Sequence, residues 1–517
     1  MAHKPSKYQQ AIYDTFDKTD KNMVISAVAG SGKTTTIVNL TELIKPGLFS
    51  IFLAFNKSIA SELRSKIPSR IEVKTLHANG YNELRFKYGR LPGVNLKTFL
   101  DEGKIGKIVI RHIDEWGDWE DEADRMSYAS RVEKIVDVMR FSLATRTDQI
   151  QELCYKHGID LMNGEIDAAR QVLAEANSMN TTFDFTDMIY RPAIGDWRLK
   201  QFHVVIVDEC QDLNRAQQEM IRKMLKPGGR LVAVGDPKQS VYGFAGADVE
   251  SFDRLKRMLP NTVELPLSCC YRCDSAIIEH AKEIIPWIEA RDGAGEGAVR
   301  VGSVKELVEN DMVLCRNTRP LVSLCMQLIS QGKKATIKGA DIGRSLAAMV
   351  SATKRKTLDA AFNKMYKELG KLEQKARTQF PTRKPDEVSY YANYQDKIEA
   401  LKSISDSRGC KTPEQLCYEI EKIFVDDTAG IVLSTMHKAK GLESDRVFII
   451  ERFRLPAPFA TQDWEHAQED NLDYVARTRA KKLLAYVDDF CSDSAKKKAL
   501  AASIAEFRNS KQLKQAI

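Results

Sequence analysis

Ala27-Val28-Ala29-Gly30-Ser31-Gly32-Lys33-Thr34 follows the apolar run Met23-Val24-Ile25-Ser26 and opens a stretch of helical periodicity. A strand, a glycine-rich turn and a helix in that order make a phosphate-binding loop, whose backbone N–H groups and helix N-terminus take the β- and γ-phosphates of a nucleotide. Lys33 neutralises phosphate charge, and the Thr34 hydroxyl holds Mg²⁺. Ala27 alone departs from the general pattern, at its first glycine. The bland alternative, a glycine-rich turn beside a chance lysine, leaves the strand before it and the helix after it unexplained.

A second apolar run, Val204-Val205-Ile206-Val207, ends in Asp208-Glu209-Cys210-Gln211-Asp212. An acidic pair at the end of a buried strand is where a phosphate-loop enzyme holds its metal and orients water. On this reading Asp208 binds Mg²⁺, directly or through water, and Glu209 is the general base. Alone, the same residues describe a solvated acidic loop. With the phosphate loop they specify a nucleoside triphosphatase, but they do not separate a kinase, a GTPase, a transporter subunit and a motor.

Along the chain, short β-rich runs alternate with helical stretches, the pattern of parallel sheets flanked by helices. Ile51-Phe52-Leu53-Ala54-Phe55 predicts a strand, Lys57 to Lys66 a helix, and Leu231-Val232-Ala233-Val234 another buried strand. Met312-Val313-Leu314, Ile431-Val432-Leu433 and Val447-Phe448-Ile449-Ile450 form a later set. Two helical segments break the alternation and look like insertions: residues 78–181, with Trp116 and Trp119, and the Lys/Glu-rich residues 341–424, interrupted by Pro381 and Pro385. The expected fold class is therefore α/β. The 517 residues are too many for one core. No apolar run approaches the ~20 residues that span a bilayer, and MAHKPSKYQQ lacks the apolar stretch of a signal peptide, so a cytoplasmic protein without a membrane partner is expected. The ten cysteines suit reduced structural thiols; Cys269, Cys270 and Cys273 lack the second group a zinc site needs. A net charge of +7 is compatible with a polyanionic partner without demonstrating one.

Further segments resemble, in order and spacing, the superfamily 1 helicases of the UvrD/Rep/PcrA group. Ser6-Lys7-Tyr8-Gln9 is similar to the Q motif, Ala54-Phe55-Asn56-Lys57 to motif Ia and Thr75-Leu76-His77 to motif Ib. Phe183-Asp184-Phe185-Thr186-Asp187-Met188 matches a DFxD element, and the stretch from Gly235 to Phe244 resembles motif III. Tyr271-Arg272 looks like the core of motif IV, Thr435 to Glu443 motif V, and Tyr474 to Ala480 motif VI. The wording from Phe55 to Ala60 leans toward the F-box DNA helicase branch and its phage relatives.

The resemblance implies two RecA-like motor domains sharing one ATP at their interface, each with a mainly helical insertion. On this sequence they map to 1–77 and 182–257 (first motor), 78–181 (its insertion), 258–340 and 425–517 (second motor), and 341–424 (the short second insertion). It implies ATP contacts from Gln9, Ala29, Gly30, Ser31, Gly32, Lys33, Thr34, Thr35, Tyr271, Gly441 and Glu443, with ATP and Mg²⁺ as cofactors. Lys33, Asp208, Glu209, Gln239, Arg272 and Arg479 are the implied catalytic set, the two arginines as arginine fingers and Thr34 and Asp208 as metal ligands. Phe55, Asn56, Thr75, His77, Tyr242, Phe244, Thr435 and His437 are the implied DNA contacts, although His437 alone equally suits a satisfied core histidine.

Departures are visible. Cys270 and Cys273 flank Tyr271-Arg272 where the family reads Asn-Tyr-Arg-Ser, Phe55 replaces a usual threonine, and Thr35 stands where an arginine often faces the base. The function implied is an ATP-dependent, 3′→5′ DNA helicase acting on single strands and single/double-strand junctions, with replication or repair proteins as partners and a monomer as the expected state. The alternatives are a translocase that strips bound proteins without efficient unwinding and an NTP-dependent switch or scaffold. A helicase–nuclease is a third, against which stand the about 37 residues that follow Ala480.

Overall fold

A parallel sheet covered by helices on both faces buries the side chains of its central strands, so those strands are recognisable as unbroken apolar runs. The computed structural model describes residues 5–95, 99–119, 121–159, 161–241, 251–426, 430–493 and 496–515. The chain divides into two compact units, Met1–Ser268 and Cys269–Ile517. In the first, β1 (Asn22–Ala27), β2 (Ser50–Ala54), β3 (Ile71–Thr75), β4 (Phe202–Val207), β5 (Leu225–Gly235) and β6 (Thr262–Leu267) form one all-parallel sheet in the order β3-β2-β4-β5-β1-β6. Alternate residues feed two cores. Met23, Ile25, Phe52, Val204 and Ile206 pack with Ile12, Ile37 and Leu40 on one face. Val24, Ile51, Leu53, Val205 and Val207 pack with Ile189, Met220 and Ile221 on the other.

The first compact unit runs to Ser268, past the expected boundary at 257/258. Thr262–Leu267 pairs along its whole length with β1, which makes it the edge strand of the first sheet. Its half-exposed Glu264 and its Pro266 suit an edge, where one row of backbone groups needs no ladder partner.

The first insertion has its own core. Helices Lys104–His112, Glu122–Ser142, Thr147–Lys156 and Glu165–Ser178 enclose Ile108, Val109, Val132, Ile135, Ile150 and Val172. The preceding helix, Leu76–Tyr88, straddles the expected boundary at 77/78 and packs instead on Asp187–Ile194 of the motor layer. A buried ionic set joins insertion to motor: Lys104 Nζ donates to Asp187 at 2.7 Å, and the Arg140 guanidinium grips Asp184 and Asp187.

The second unit holds a two-stranded ladder of β7 (Cys269–Cys270) and β8 (Glu289–Ala290) and a seven-stranded sheet. The sheet contains β9 (Ala298–Gly302), β10 (Met312–Cys315), β11 (Ala335–Lys338), β12 (Phe424–Val425), β13 (Ile431–Thr435), β14 (Ser444–Ile449) and β15 (Ala480–Val487). All are parallel, in the order β12-β11-β13-β10-β14-β15-β9. The second insertion differs from the first. Its Phe362, Leu401, Ile404, Leu416 and Ile420 share one continuous core with Val313, Leu321, Leu324 and Leu433 of the sheet layer. Asp396 of this insertion also accepts the Thr318 N–H (3.0 Å) and the Arg319 N–H (3.4 Å) at the start of helix Thr318–Ser330. No helix among the described residues is long and apolar enough to cross a membrane.

Two glycines separate packing from propensity. A Cβ at Gly80 would lie 1.7 Å from the Met188 carbonyl oxygen, whereas one at Gly370, inside helix Leu358–Gln379, meets nothing within 4 Å. Gly80→Ala should lower unfolding stability by about 3 kcal/mol through overpacking. Gly370→Ala should raise it by about 0.5–1 kcal/mol, because alanine loses less backbone entropy in a helix. Denaturant melts of the two variants check both signs.

Candidate active site

Because all six strands of the first sheet run the same way, their carboxyl ends share one edge, the place where ligands of open parallel sheets bind. In spatial order that edge carries Thr75 closing β3, Phe55 and Asn56 after β2, Asp208 and Glu209 after β4, Asp236 after β5, and the glycine-rich loop after β1. Gly30 and Gly32 adopt φ of 66° and 76°, which glycine does without steric cost. Helix Lys33–Glu42 begins directly after Gly32, which has no side chain with which to cap it. The Ser31 hydroxyl is buried and its Oγ has no hydrogen-bond partner. A buried polar atom left unmatched costs about 1–3 kcal/mol, and phosphate oxygens entering the loop would match it. Ala29 is buried, whereas Thr34 and Thr35 lie exposed at the helix start.

Lys33 Nζ stands 3.4 Å from Glu209 Oε1. Burial pulls the Lys33 pKa down, but the charges of Glu209, Asp236 and Asp208 outweigh it, and the net direction is up. Asp208 is pushed up to about 7, first by burial and then by the Glu209 charge, against the pull of Lys33. Burial also raises Asp236. Glu209 has φ of 51°, a left-handed conformation that a residue with a side chain adopts at a cost. Its N–H donates to Asp208 Oδ1 at 2.9 Å. Gln211 donates from Nε2 to Glu209 Oε2 at 2.6 Å and accepts the Asp236 N–H at Oε1, 3.0 Å away. Gln239 donates from Nε2 to Asp236 Oδ2 at 2.6 Å. Lys33, Asp208, Glu209 and Gln239, scattered over two hundred residues of sequence, thus meet in one connected set. Among the described residues no three His, Cys, Asp or Glu side chains are arranged to hold a metal. Thr34 and Asp208 suit Mg²⁺, which takes most of its ligands from water and phosphate.

Gln9 lies against this site. Its Nε2 donates to Thr36 of the loop helix at 3.0 Å, while its Oε1 accepts the Ser6 N–H in a capping box. Toward β3, Phe55 is 52% exposed, and Asn56 and Thr75 cap the helices that follow them, accepting the N–H groups of Ile59 and Ala78. His77 meets Phe185 edge-on with ring centroids 6.4 Å apart. Phe185 is 49% exposed, a candidate stacking surface that the sequence reading passed over. The available signal was a phenylalanine between two aspartates that are both buried in ion pairs. Tyr242 and Phe244 lie outside the described residues.

In the second unit, Arg272 donates from Nε to Glu443 Oε2 at 2.7 Å and from a terminal nitrogen to the Thr478 carbonyl at 3.2 Å. Lys481 is also 2.7 Å from Glu443. Tyr271 beside it is half-buried, and Gly441 has φ of 87°. Arg479 is fully buried and donates to the carbonyls of Val475 and Leu442, so its guanidinium is anchored on backbone of its own unit. Thr435 ends β13 at the carboxyl edge of the second sheet. Glu443 stands just before β14 at the opposite edge. His437 is pushed down to about 3 by burial and by the charges of Arg316 and Lys438, so it is neutral at working pH.

The family model described as UvrD/REP helicase N-terminal domain matches residues 7–260, and the one described as UvrD-like helicase C-terminal domain matches residues 344–487. ATP-dependent DNA helicase UvrD1 of Mycobacterium leprae is 24% identical over 337 residues, 55% of this chain and 41% of that one. The protein of that name from Mycobacterium tuberculosis is 24% identical over 330 residues, 55% of this chain and 40% of its own. ATP-dependent DNA helicase PcrA of Staphylococcus aureus is 23% identical over 288 residues, covering 52% and 38%. The chain thus spans about two-fifths of the length of these relatives.

A raised carboxyl pKa means that the folded protein holds a proton the unfolded chain gives up. The stability linked to Asp208 is therefore fully present below the ordinary aspartate range and is lost as pH rises through about 7. In the absence of nucleotide and divalent metal, the melting temperature should fall between about pH 5 and about pH 8. Asp208→Asn should flatten that fall, as thermal melts across the same pH range would register.

Proposed function

The chain belongs to the UvrD/Rep/PcrA family of superfamily 1 helicases, and on that premise we propose that it is an ATP-driven motor that moves 3′→5′ along single-stranded DNA and unwinds duplex ahead of it. The observation that carries this reading is the shared edge of the first sheet. β2 and β4 are direct neighbours, so the candidate DNA contacts after β2 and β3 stand beside the acidic pair after β4. Adjacent strands lie about 4.8 Å apart, close enough for a shift at one to be felt at the next.

In this mechanism Lys33 and the loop N–H groups hold the β- and γ-phosphates. Glu209 takes the proton of the water that attacks the γ-phosphorus, and ADP departs as the P–O bond breaks. Thr34 and Asp208 would hold Mg²⁺, which neutralises charge on the phosphate oxygens. Arg272 supplies a cation that stabilises the transferring phosphoryl group, a role in which an arginine acts on the transition state more than on bound ATP. Arg479 could do the same only by leaving the Val475 and Leu442 carbonyls that now hold it. Gln9 and Tyr271 contact the adenine. On the DNA side, Phe55, His77 and Phe185 offer rings for base stacking, which tolerates any sequence, as a translocating motor requires. Asn56 and Thr75 complete that surface; Thr435 and His437 are the candidate DNA contacts of the second unit, and Tyr242 and Phe244 are further candidates.

ATP turnover should rise on addition of single-stranded DNA; equal rates with and without it would sink the coupling. Lys33→Ala should abolish turnover. Arg272→Ala should lower kcat by roughly 10³-fold while leaving ATP affinity within about tenfold. Partial duplexes with a 3′ or a 5′ single-stranded tail decide the direction. Strand separation on the 3′-tailed substrate is expected, and separation confined to the 5′-tailed one would refute it. Turnover without separation of either would assign the motor to displacing bound proteins.

A further inference from the structure

We infer that Gln211 is a positioning residue that ties the Glu209 carboxylate to the Asp236–Gln239 turn, and so makes turnover follow what happens along the DNA edge. The inference rests on the ATP-driven reading above and adds to it a residue that acts through others rather than on ATP.

Gln211 is 1% exposed and sits in the helical turn Cys210–Asp212 that leaves β4. An amide places a donor and an acceptor side by side on one rigid plane. Here both are used. Nε2 donates to Glu209 Oε2 at 2.6 Å and to Asp212 Oδ2 at 3.2 Å, and Oε1 accepts the Asp236 N–H at 3.0 Å. The next link is the Asp236 carboxylate, which accepts from Gln239 Nε2 at 2.6 Å and from the Lys238 N–H at 3.0 Å. The Ser240 hydroxyl, one residue on, donates to the Gln211 carbonyl at 3.5 Å. The segment after β4 and the turn after β5 are therefore joined by the side chain and the backbone of one residue.

Gly235 independently marks the place reserved for that amide. Its φ is not in the left-handed region, so the backbone there does not require glycine. A Cβ at Gly235 would stand 2.4 Å from Gln211 Oε1, 2.9 Å from Cys210 Sγ and 3.0 Å from the Gln211 nitrogen. The absent side chain is what lets the Gln211 amide reach Asp236.

The consequence for chemistry is a division of the Glu209 carboxylate. Lys33 faces Oε1 at 3.4 Å while Gln211 holds Oε2 at 2.6 Å. Without the amide, the Glu209 carboxylate loses its tie to the 236–240 turn, while Lys33 still faces Oε1. A satisfied buried polar network is rigid, so a shift of the 236–240 turn would be carried to Glu209 rather than absorbed on the way.

The test is steady-state ATP hydrolysis by the full chain, with and without single-stranded DNA, for Gln211→Leu, Gln211→Glu and Gly235→Ala, each checked for a cooperative thermal melt. Gln211→Leu should keep the ATP KM within about threefold while DNA-stimulated kcat falls by about 10- to 100-fold, a part of the roughly 10²–10⁴-fold that a well-placed general base contributes. The ratio of stimulated to DNA-free turnover should drop to near one. Gly235→Ala, which leaves Gln211 in the chain but fills its space, should show the same collapse of the ratio, and so should Gln211→Glu, which keeps the acceptor and loses the donor. Folded variants that keep the wild-type ratio overturn the inference. So does an equal loss of turnover with and without DNA, which marks a purely structural role. Should Gln211→Leu not fold, the other two variants give the same readout. A wild-type protein without DNA-stimulated turnover would instead bring down the underlying function, an outcome visible before any variant is made.

Discussion

One ammonium group, Lys33 Nζ, is shared by three carboxylates at the carboxyl edge of the first sheet, and much of that unit follows from keeping the set satisfied. Buried charges are tolerated when paired and hydrogen-bonded, and three anions around one cation leave an excess. The structure meets it in two ways. Asp208 keeps its proton to about pH 7, and backbone N–H groups of Glu209 and Lys238 satisfy oxygens of Asp208 and Asp236. Four groups from three distant parts of the chain converge because β1, β5 and β4 are consecutive in the sheet. The crossovers that make the strands parallel are thus the condition for the site, and the apolar faces of those strands supply the burial that shifts its pKa values.

The two insertions solve the same problem differently. Residues 104–178 close a core of their own and are fastened to the motor layer by Lys104 and Arg140 on Asp184 and Asp187. Breaking a buried pair of this kind strands a charge, typically at 3–5 kcal/mol, so the joint is stiff. Phe185 lies between its two aspartates, exposed on an otherwise locked loop, which gives its ring a fixed position. The second insertion has no separate core. Its helices are part of the covering layer of the second sheet, and Asp396 even caps one of that layer's helices. A short insertion absorbed in this way is a brace for the motor rather than a body able to swing on its own.

Sequence made the central strands legible because they are fully buried and therefore unbroken in apolar residues, as Val204–Val207 and Leu231–Val234 illustrate. It made the phosphate loop legible because two glycines at positive φ and a lysine leave few other readings. The edge strand Thr262–Leu267 was harder: half-exposed, with a glutamate and a proline, it has no such run to mark it. The merging of the second insertion with the sheet layer was equally hidden, since helical periodicity reports that a face is buried without naming what covers it. Gln211 and Gly235 carry no local signal at all. Their meaning is a distance between segments on adjacent strands, and Arg479 likewise became an anchored residue only once the carbonyls around it were visible.

The register of β1 also has a consequence in time. Met23 to Ser26 pair with residues 232–235 on one side and 263–266 on the other, both more than two hundred residues later. At about 5–20 residues per second, a ribosome needs of order ten seconds or more to supply those neighbours. Throughout that interval Met23-Val24-Ile25 is an unpaired apolar strand, while the helical body from Lys104 to Ser178, built from near-in-sequence contacts, can already close. The phosphate loop is made some two hundred residues before the strands that flank it, so chains still being made are those most in need of shielding from one another.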